Sequence, residues 1–317
     1  MIKREKLRRI LLFSTAGLFV AAAIVVGISY QVLAHLTFAG DRVIYGKRLS
    51  ELTHEIRAEL VKRPNLQAIR IPTTDNLTLA GFLVTQPQPT ANIVLCHGYR
   101  SAKELLYAML DIFPTWNTLM FDFRAHGDSD GTITSIGFHE HQDVISTVQF
   151  MRATALKNGT SHLPLIVLGI SMGGAATLKA TEMSPDLCNA IIVDSTYSRL
   201  SSTIFKAFST KTHLPLYPFF PVIKYLFHAL AGFDVHAMNP EECMAKIKQP
   251  VLIIHAVDDS YVSPRNALRL LASARNQHSK LWIAPSCRHA WLHSYYPELY
   301  HAKVMSFLRK AKILPAQ

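Results

Sequence analysis

Acidic side chains are scarce in this chain. Against 33 Lys and Arg, the 317 residues carry 22 Asp and Glu, a formal net charge of +11. The surplus does not describe a nucleic-acid surface. Lys3, Arg4, Lys6, Arg8 and Arg9, opposed only by Glu5, supply +4 of it within nine residues. The rest is scattered, with no basic stripe interleaved with aromatics, which argues against a nucleic-acid partner. Cysteine is sparse too: Cys96, Cys188, Cys243 and Cys287 form no CxxC pair. No zinc site is spaced here, and Cys96, ending an apolar run, reads as a small buried hydrophobe. A disulfide stays open for an exported domain, although a core of this size does not need one. Low-complexity tracts, charge repeats and collagen-like periods are absent. With 49% hydrophobic and 17% charged residues, the chain buries a sizeable core as one large or two small domains.

What it has in abundance is one long apolar run. Ile10 to Tyr30 holds 21 residues without a charge, enough to cross a bilayer as a helix. The basic cluster before it favours a cytoplasmic N-terminus. The rival reading is a signal peptide cleaved near Val32–Ala34, but signal cores run to about 7–15 residues. We therefore expect a retained single-pass anchor with the rest of the chain outside the cytoplasm. The expected division is a basic tail and anchor over 1–39, a connector over 40–65, and a catalytic domain over 66–317. Asp41 to Lys62 reads as a polar helix that Pro64 breaks.

From there strands and helices alternate. "LQAIRI" and "LTLAGFLV" suggest an antiparallel pair, and Ala91 to Cys96 a central strand. "AKELLYAMLDIF" reads as a helix, "NTLMFDF" as a strand, and Ile136 to Leu156 as a longer helix. Further strands follow at "CNAIIVDS", Pro250 to Ala256 and "KLWIAP", with helices near Pro264–Ala274 and Pro297–Lys310. That alternation implies an α/β fold with a mostly parallel sheet and helices on both faces. Residues 196–248 interrupt it with an aromatic- and proline-rich stretch, read as a short helical lid.

The chemistry gathers at strand ends, where open parallel sheets bind their ligands. Gly169-Ile170-Ser171-Met172-Gly173 follows an apolar strand and precedes a helix-forming run, the strand–turn–helix context of a nucleophile elbow. Taken alone, five positions do not separate that elbow from a glycine-rich turn. Gly98 after the Cys96 strand lets the backbone turn so that the Tyr99 and Met172 N–H groups could form an oxyanion hole. Asp122 and Ser129 are expected to fix loops. Asp194 is a candidate acid, as are Asp258 and Asp259; His289 and His293 follow the last strand. A serine nucleophile needs a base, and the base needs a carboxylate. Ser171, Asp259 and His289 occur in the order serine, acid, histidine that suits a sheet of this type. His97 reads as packing beneath the oxyanion loop, and His139 to Asp143 ("HEHQD") as a polar helix start, since histidines two apart diverge on a helix.

Together "HGYRS", "DFRAHGDSDG", "GISMGG", "PVLIIHAVDDSYVSP" and "SCRHAW" make the chain, from about Leu66 to Lys310, resemble a serine hydrolase of the α/β-hydrolase fold. The branch it is most similar to is the serine aminopeptidase-like and membrane-associated esterase or acyl-thioesterase group. In that family the strand before the acid reads H-G-x-x-D-x-x-V-P. Counting four from His255 carries the acid onto Asp259, with Ala256 in place of the glycine and Ser263 in place of the proline. The resemblance places the base at His289, with His293, four residues on, as the alternative. It implies cofactor-independent cleavage of an ester or thioester through an acyl-enzyme. A small-molecule or lipid-like acyl substrate suits the lid and the membrane position. The competing expectations are an aminopeptidase, which would need an acidic pocket for the substrate amine, and a non-catalytic membrane-tethered scaffold, which would not need to keep Ser171, Asp259 and His289.

Overall fold

The computed structural model describes residues 2–38, 43–44 and 47–316; the side chains of 2–14, 16, 43 and 44 lie outside that description. So does the start of the connector at Asp41 and Arg42, and the side chains of the basic N-terminal cluster.

The chain opens with a continuous helix, α1 (Ile2–Thr37), followed by a two-stranded hairpin of β1 (Val43–Ile44) and β2 (Lys47–Arg48) and by α2 (Leu49–Leu60). The helical connector expected over 41–62 is thus shorter than its polar pattern suggests. The antiparallel pairing of Val43 with Arg48 takes up its first part, and the helix starts only where Glu51 accepts the Arg48 N–H at 3.3 Å. Nor is this segment a free tether: Leu60 is buried in the core, and Arg57 bonds the buried Glu104 at 2.6 Å.

Next come β3 (Leu66–Pro72), β4 (Thr78–Val84), β5 (Ala91–Cys96), a 3-10 turn over Lys103–Leu106, α3 (Ala108–Ile112) and β6 (Trp116–Phe121). The single helix expected over 102–113 is broken in two. Buried Lys103 gives its backbone N–H to Asp122 Oδ1 at 2.8 Å and its ammonium to Asp122 Oδ2 at 2.6 Å. That clamp tightens the first turn against the sheet and overrides helix propensity. The remainder is α4 (Glu140–Lys157), β7 (Leu165–Ile170), α5 (Met172–Met183), β8 (Ala190–Asp194), α6 (Leu200–Thr212), α7 (Phe219–Ala231), α8 (Pro240–Met244), β9 (Val251–Ala256), α9 (Arg265–Ser273), β10 (Lys280–Ala284), α10 (Leu292–Tyr295) and α11 (Pro297–Lys310).

Eight strands form one sheet in the order β10-β9-β8-β7-β5-β6-β4-β3. β3, β4 and β6 pair antiparallel, and every pair from β6 across to β10 is parallel. Strands covered on both faces can be apolar throughout, and β5 to β8 are buried at every position. Alternate residues serve opposite layers. Val94, Val167 and Val193 pack with α4, α5 and the lid helices, while Ile93, Leu168 and Ile192 pack with α3 and α11. The lid expected over 196–248 is helical, as α6, α7 and α8.

The second half of α1 is docked on this body. Val25, Ile28, Ser29, Val32, Leu33 and Leu36 recur at helical spacing and form a stripe. That stripe lies against α7, whose Ile223 and Phe227 are fully buried. The Thr37 carbonyl accepts the Thr134 N–H at 2.9 Å, tying the helix end to the loop before α4. Before that docked half Leu18, Phe19, Val20 and Ile24 are exposed. Gly17–Thr37 has a mean hydropathy of 2.1 over 21 residues, enough by length and composition to cross a membrane.

Candidate active site

The site is assembled by the loops beyond β5, β7, β9 and β10. Ser171, directly after β7, stands at φ 53°, ψ −112°, a conformation costly for a side chain other than glycine. Neighbouring glycines make it attainable. A Cβ on Gly169 would sit 2.5 Å from the Gly173 carbonyl carbon, and one on Gly173 would sit 2.3 Å from the Cys96 carbonyl oxygen. The Ser171 N–H bonds the Asp194 carbonyl at 2.7 Å, which pins the turn to β8. The turn throws the Ser171 hydroxyl clear of the sheet at the start of α5.

Facing it is His289, in the loop between β10 and α10. Its Nε2 lies 3.0 Å from Ser171 Oγ, and its Nδ1 lies 2.6 Å from Asp259 Oδ2. Asp259, just past β9, is held in turn: its Oδ1 accepts the N–H groups of Tyr261 and Val262, each at 2.9 Å. Burial alone would raise the Asp259 carboxyl. The adjacent imidazoles of His255 and His289 and the backbone donors outweigh it and hold the group well below the usual carboxylate range. A carboxylate kept ionised beside one ring nitrogen leaves the other poised to accept the serine proton.

The neighbouring candidates have other tasks. Asp258 accepts the Ser286 hydroxyl at the surface and does not meet His289. His293 is buried; among the described residues neither ring nitrogen has a hydrogen-bond partner, and burial lowers it to about 4. It is not the residue aligned with Ser171. Asp194 lies under the site, accepts the Ser195 hydroxyl at 2.9 Å, and is pushed by burial up to about 6. His97 is fully buried beneath the loop after β5, with Nδ1 2.7 Å from the Gly98 carbonyl and Nε2 accepting the Phe123 N–H at 3.0 Å. Ser129 donates to the Asp122 carbonyl at 2.6 Å and accepts the Ala80 N–H, so this pair does brace the turn after β6. In the HEHQD stretch, Glu140 accepts the Ser135 and Gly137 N–H groups and Asp143 pairs with Arg124 at 2.6 Å. His139 and His141 turn to different carbonyls, those of Ala231 and Phe138.

Both residues expected to supply oxyanion donors lie near Ser171 in the chain or along the cavity wall. Met172 is the first residue of α5, where a backbone N–H has no acceptor within the helix. Gly98 brings the other loop close: a Cβ there would lie 3.5 Å from Ser171 Cβ. Tyr99 follows at once and lines the same cavity.

That cavity, about 580 Å³, is bounded by Ser171, His289, Phe208 of α6 and, from α1, Val32, His35 and Leu36. The wall formed by α1 was not legible in the sequence. Its only trace there is the polar pair Gln31 and His35, which breaks the run just where the helix leaves its apolar stretch.

The sheet order, the elbow and the helices on both faces define an α/β-hydrolase fold; the chain is an α/β-hydrolase-fold protein. A family model described as serine aminopeptidase, S33, matches residues 87–231. The chain is 29% identical over 298 residues to the uncharacterized protein YqkD of Bacillus subtilis, covering 92% of this chain and 95% of that one. It is 22% identical to the protein bem46 of Schizosaccharomyces pombe over 70% of each. Among solved structures, a Pyrococcus furiosus esterase, Pf2001, superposes with a TM-score of 0.64 at 22% identity, over 85% of this chain and 96% of that one. At that identity the likeness speaks for the fold.

Proposed function

We propose that this protein is a membrane-anchored serine hydrolase that cleaves carboxylic esters or thioesters of apolar acyl groups through an acyl-enzyme. The observation that carries the reading is the unbroken relay from Ser171 Oγ through His289 to Asp259, at 3.0 and 2.6 Å. Ser171 Oγ attacks the acyl carbonyl while His289 Nε2 takes its proton, and Asp259 stabilises the imidazolium. The backbone N–H groups of Met172 and Tyr99 receive the oxyanion. Collapse breaks the bond to the leaving group, which takes the proton from His289. Water, deprotonated by the same ring, then releases the acid and restores Ser171.

Two features favour this over the alternatives. An aminopeptidase needs a carboxylate for the substrate amine, and among the described residues lining the cavity there is no Asp or Glu. A scaffold has no use for a serine held at φ 53°, since such strain persists where it serves function. We also read α1 as a retained anchor, with the N-terminus cytoplasmic and the hydrolase domain on the other side.

The test is hydrolysis of p-nitrophenyl esters of increasing chain length by the full chain in neutral detergent, with S171A alongside. Turnover lost by a factor on the order of 10⁴ or more in the variant is expected. Equal turnover in both proteins would sink the reading.

A further inference from the structure

The point where α1 leaves the body fixes where a bilayer would meet the protein. From Gly17 to Ile24 every residue of α1 is exposed, so no face of the helix is turned to the body there. Packing begins at Val25 and Ile28, and the Ser29 hydroxyl donates to the Phe219 carbonyl at 3.4 Å, where α7 starts. The charge-free run Ile10 to Tyr30 has 21 residues, about 31 Å as a helix and so about one hydrocarbon core thick. It ends at Tyr30, level with that bond. Gln31 and His35, just beyond, line the Ser171 cavity.

An uncharged tip of the lid reaches the same level. α6 ends beside His35, with Lys211 Nζ 3.2 Å from His35 Nε2, and α7 begins beside Ser29. The loop joining them therefore climbs about 9 Å along α1 toward its N-terminus. The ends of α7 and α1 are both tied to the loop before α4. His139 Nε2 lies 2.9 Å from the Ala231 carbonyl, and the Thr134 N–H bonds the Thr37 carbonyl at 2.9 Å. α7 thus runs alongside α1 in the same direction, with its first turn nearest the exposed segment. From Thr212 to Ile223 this tip has no Asp, Glu, Lys or Arg. Within it Tyr217 is 78% and Leu216 37% exposed, and Pro215, Pro218 and Pro221 are exposed beside them.

Apolar side chains gathered on a surface mark a contact, and two observations identify the occupant as lipid. The tip is continuous with an apolar helix that the body leaves bare at Leu18, Phe19, Val20 and Ile24. Its prolines also carry no N–H, which lowers the cost of placing irregular backbone where water is scarce. Resting on the reading of α1 as a retained anchor, we propose that the body docks on the membrane α1 spans, with Leu216 and Tyr217 inserted among the lipid headgroups. Tyr30 and Tyr217 then share the interface, the depth at which amphipathic aromatic rings settle. The Ser171 cavity, which α1 lines from Gln31 to Leu36, stands within about 10 Å of that surface. Docking holds it beside esters carried in the bilayer.

The test uses the full chain in phosphatidylcholine vesicles, with and without bromine near the headgroup end of one acyl chain, where it quenches tryptophan. Y217W puts a reporter on the tip. L156W, at an exposed residue at the far end of α4, is the control. Trp116, Trp282 and Trp291 give a background that the parent chain subtracts. The emission added by Y217W should fall about twofold or more in brominated vesicles, as for a side chain roughly 5–10 Å into the boundary. That added by L156W should not change. L216W should behave as Y217W does, so the result does not hang on one variant. Flotation of the protein with the vesicles after an alkaline wash reports separately on the anchor. Floated protein whose Y217W and L216W emission is unquenched would overturn the docking alone, and shielding of both from aqueous acrylamide as well would give the tip to a second copy of the chain. Protein that does not float would remove the anchor reading and the docking with it, leaving the Ser171 chemistry untouched.

Discussion

Tyr99 Oη donates a 2.9 Å hydrogen bond to the carbonyl oxygen of His35. One residue thus belongs to the loop proposed to bind the oxyanion and, through its side chain, to the end of the N-terminal helix. The catalytic body and the apolar helix are one structural unit at this point, and disturbing either should be felt by the other. Y99F keeps the backbone N–H and removes this bond. The expected outcome is about 1 kcal/mol of lost stability in urea unfolding, with ester turnover reduced less than about fivefold. A loss as large as that of S171A would mean the hydroxyl itself takes part in the chemistry.

The two adjacent aspartates provide a sharper discrimination. Asp259 meets His289 at 2.6 Å, whereas Asp258 meets the Ser286 hydroxyl at the surface. D259N should lower kcat by a factor on the order of 10⁴, because an amide cannot hold the ring in the required tautomer. D258N should stay within about threefold of the parent, as surface changes usually do. Comparable losses in the two variants would place the acid wrongly.

Gly173 should tolerate no side chain. A Cβ there would lie 2.3 Å from a backbone oxygen of β5, and backbone cannot step aside as a side-chain tip can. G173A is expected to cost about 3 kcal/mol or more of stability, or to prevent folding. A normally stable, active G173A protein would show that the elbow packs differently.

Asp194 gives a pH signature. Its carboxyl ionises at about 6 in the folded protein because burial disfavours the charge, against 3.8 for the free side chain. Between those values the native state holds more protons than the unfolded one. Its contribution to stability is therefore fully present below the lower value, falls as pH rises through the window, and is lost above the upper one. D194N removes the ionisation. Relative to the parent it should gain about 2.4 kcal/mol between pH ~4 and pH ~8, read by urea unfolding at both. A difference independent of pH would mean that Asp194 ionises as freely when folded as when unfolded.

Finally, α1 should set acyl-chain preference. Val32 lines the cavity, so V32W intrudes on it. We expect turnover of a long-chain p-nitrophenyl ester to drop about tenfold more than that of the acetate. Equal effects on both would remove α1 from the acyl wall.

Much of this molecule could be read without coordinates. The apolar strands, the antiparallel start, the helical lid and the elbow follow from local patterns, because a strand buried on both faces must be apolar and a turn that tight demands glycine at Gly169 and Gly173. Ser171 and His97 stand where their motifs put them. Periodicity misled where tertiary bonds outweighed propensity. The Asp122 clamp on Lys103 broke one expected helix, and hairpin pairing of Val43 with Arg48 shortened another.

The sequence by itself determined which residue types stand at the strand ends and in what order. It also determined that the N-terminal run is long and apolar enough to cross a membrane. Only the tertiary structure decided that His289, rather than His293, reaches both Ser171 and Asp259, and that α1 closes the cavity while His35 gathers two cations around it. Such relationships join residues as far apart as positions 35 and 211. No local pattern records them, because they exist only once separate elements have packed against one another.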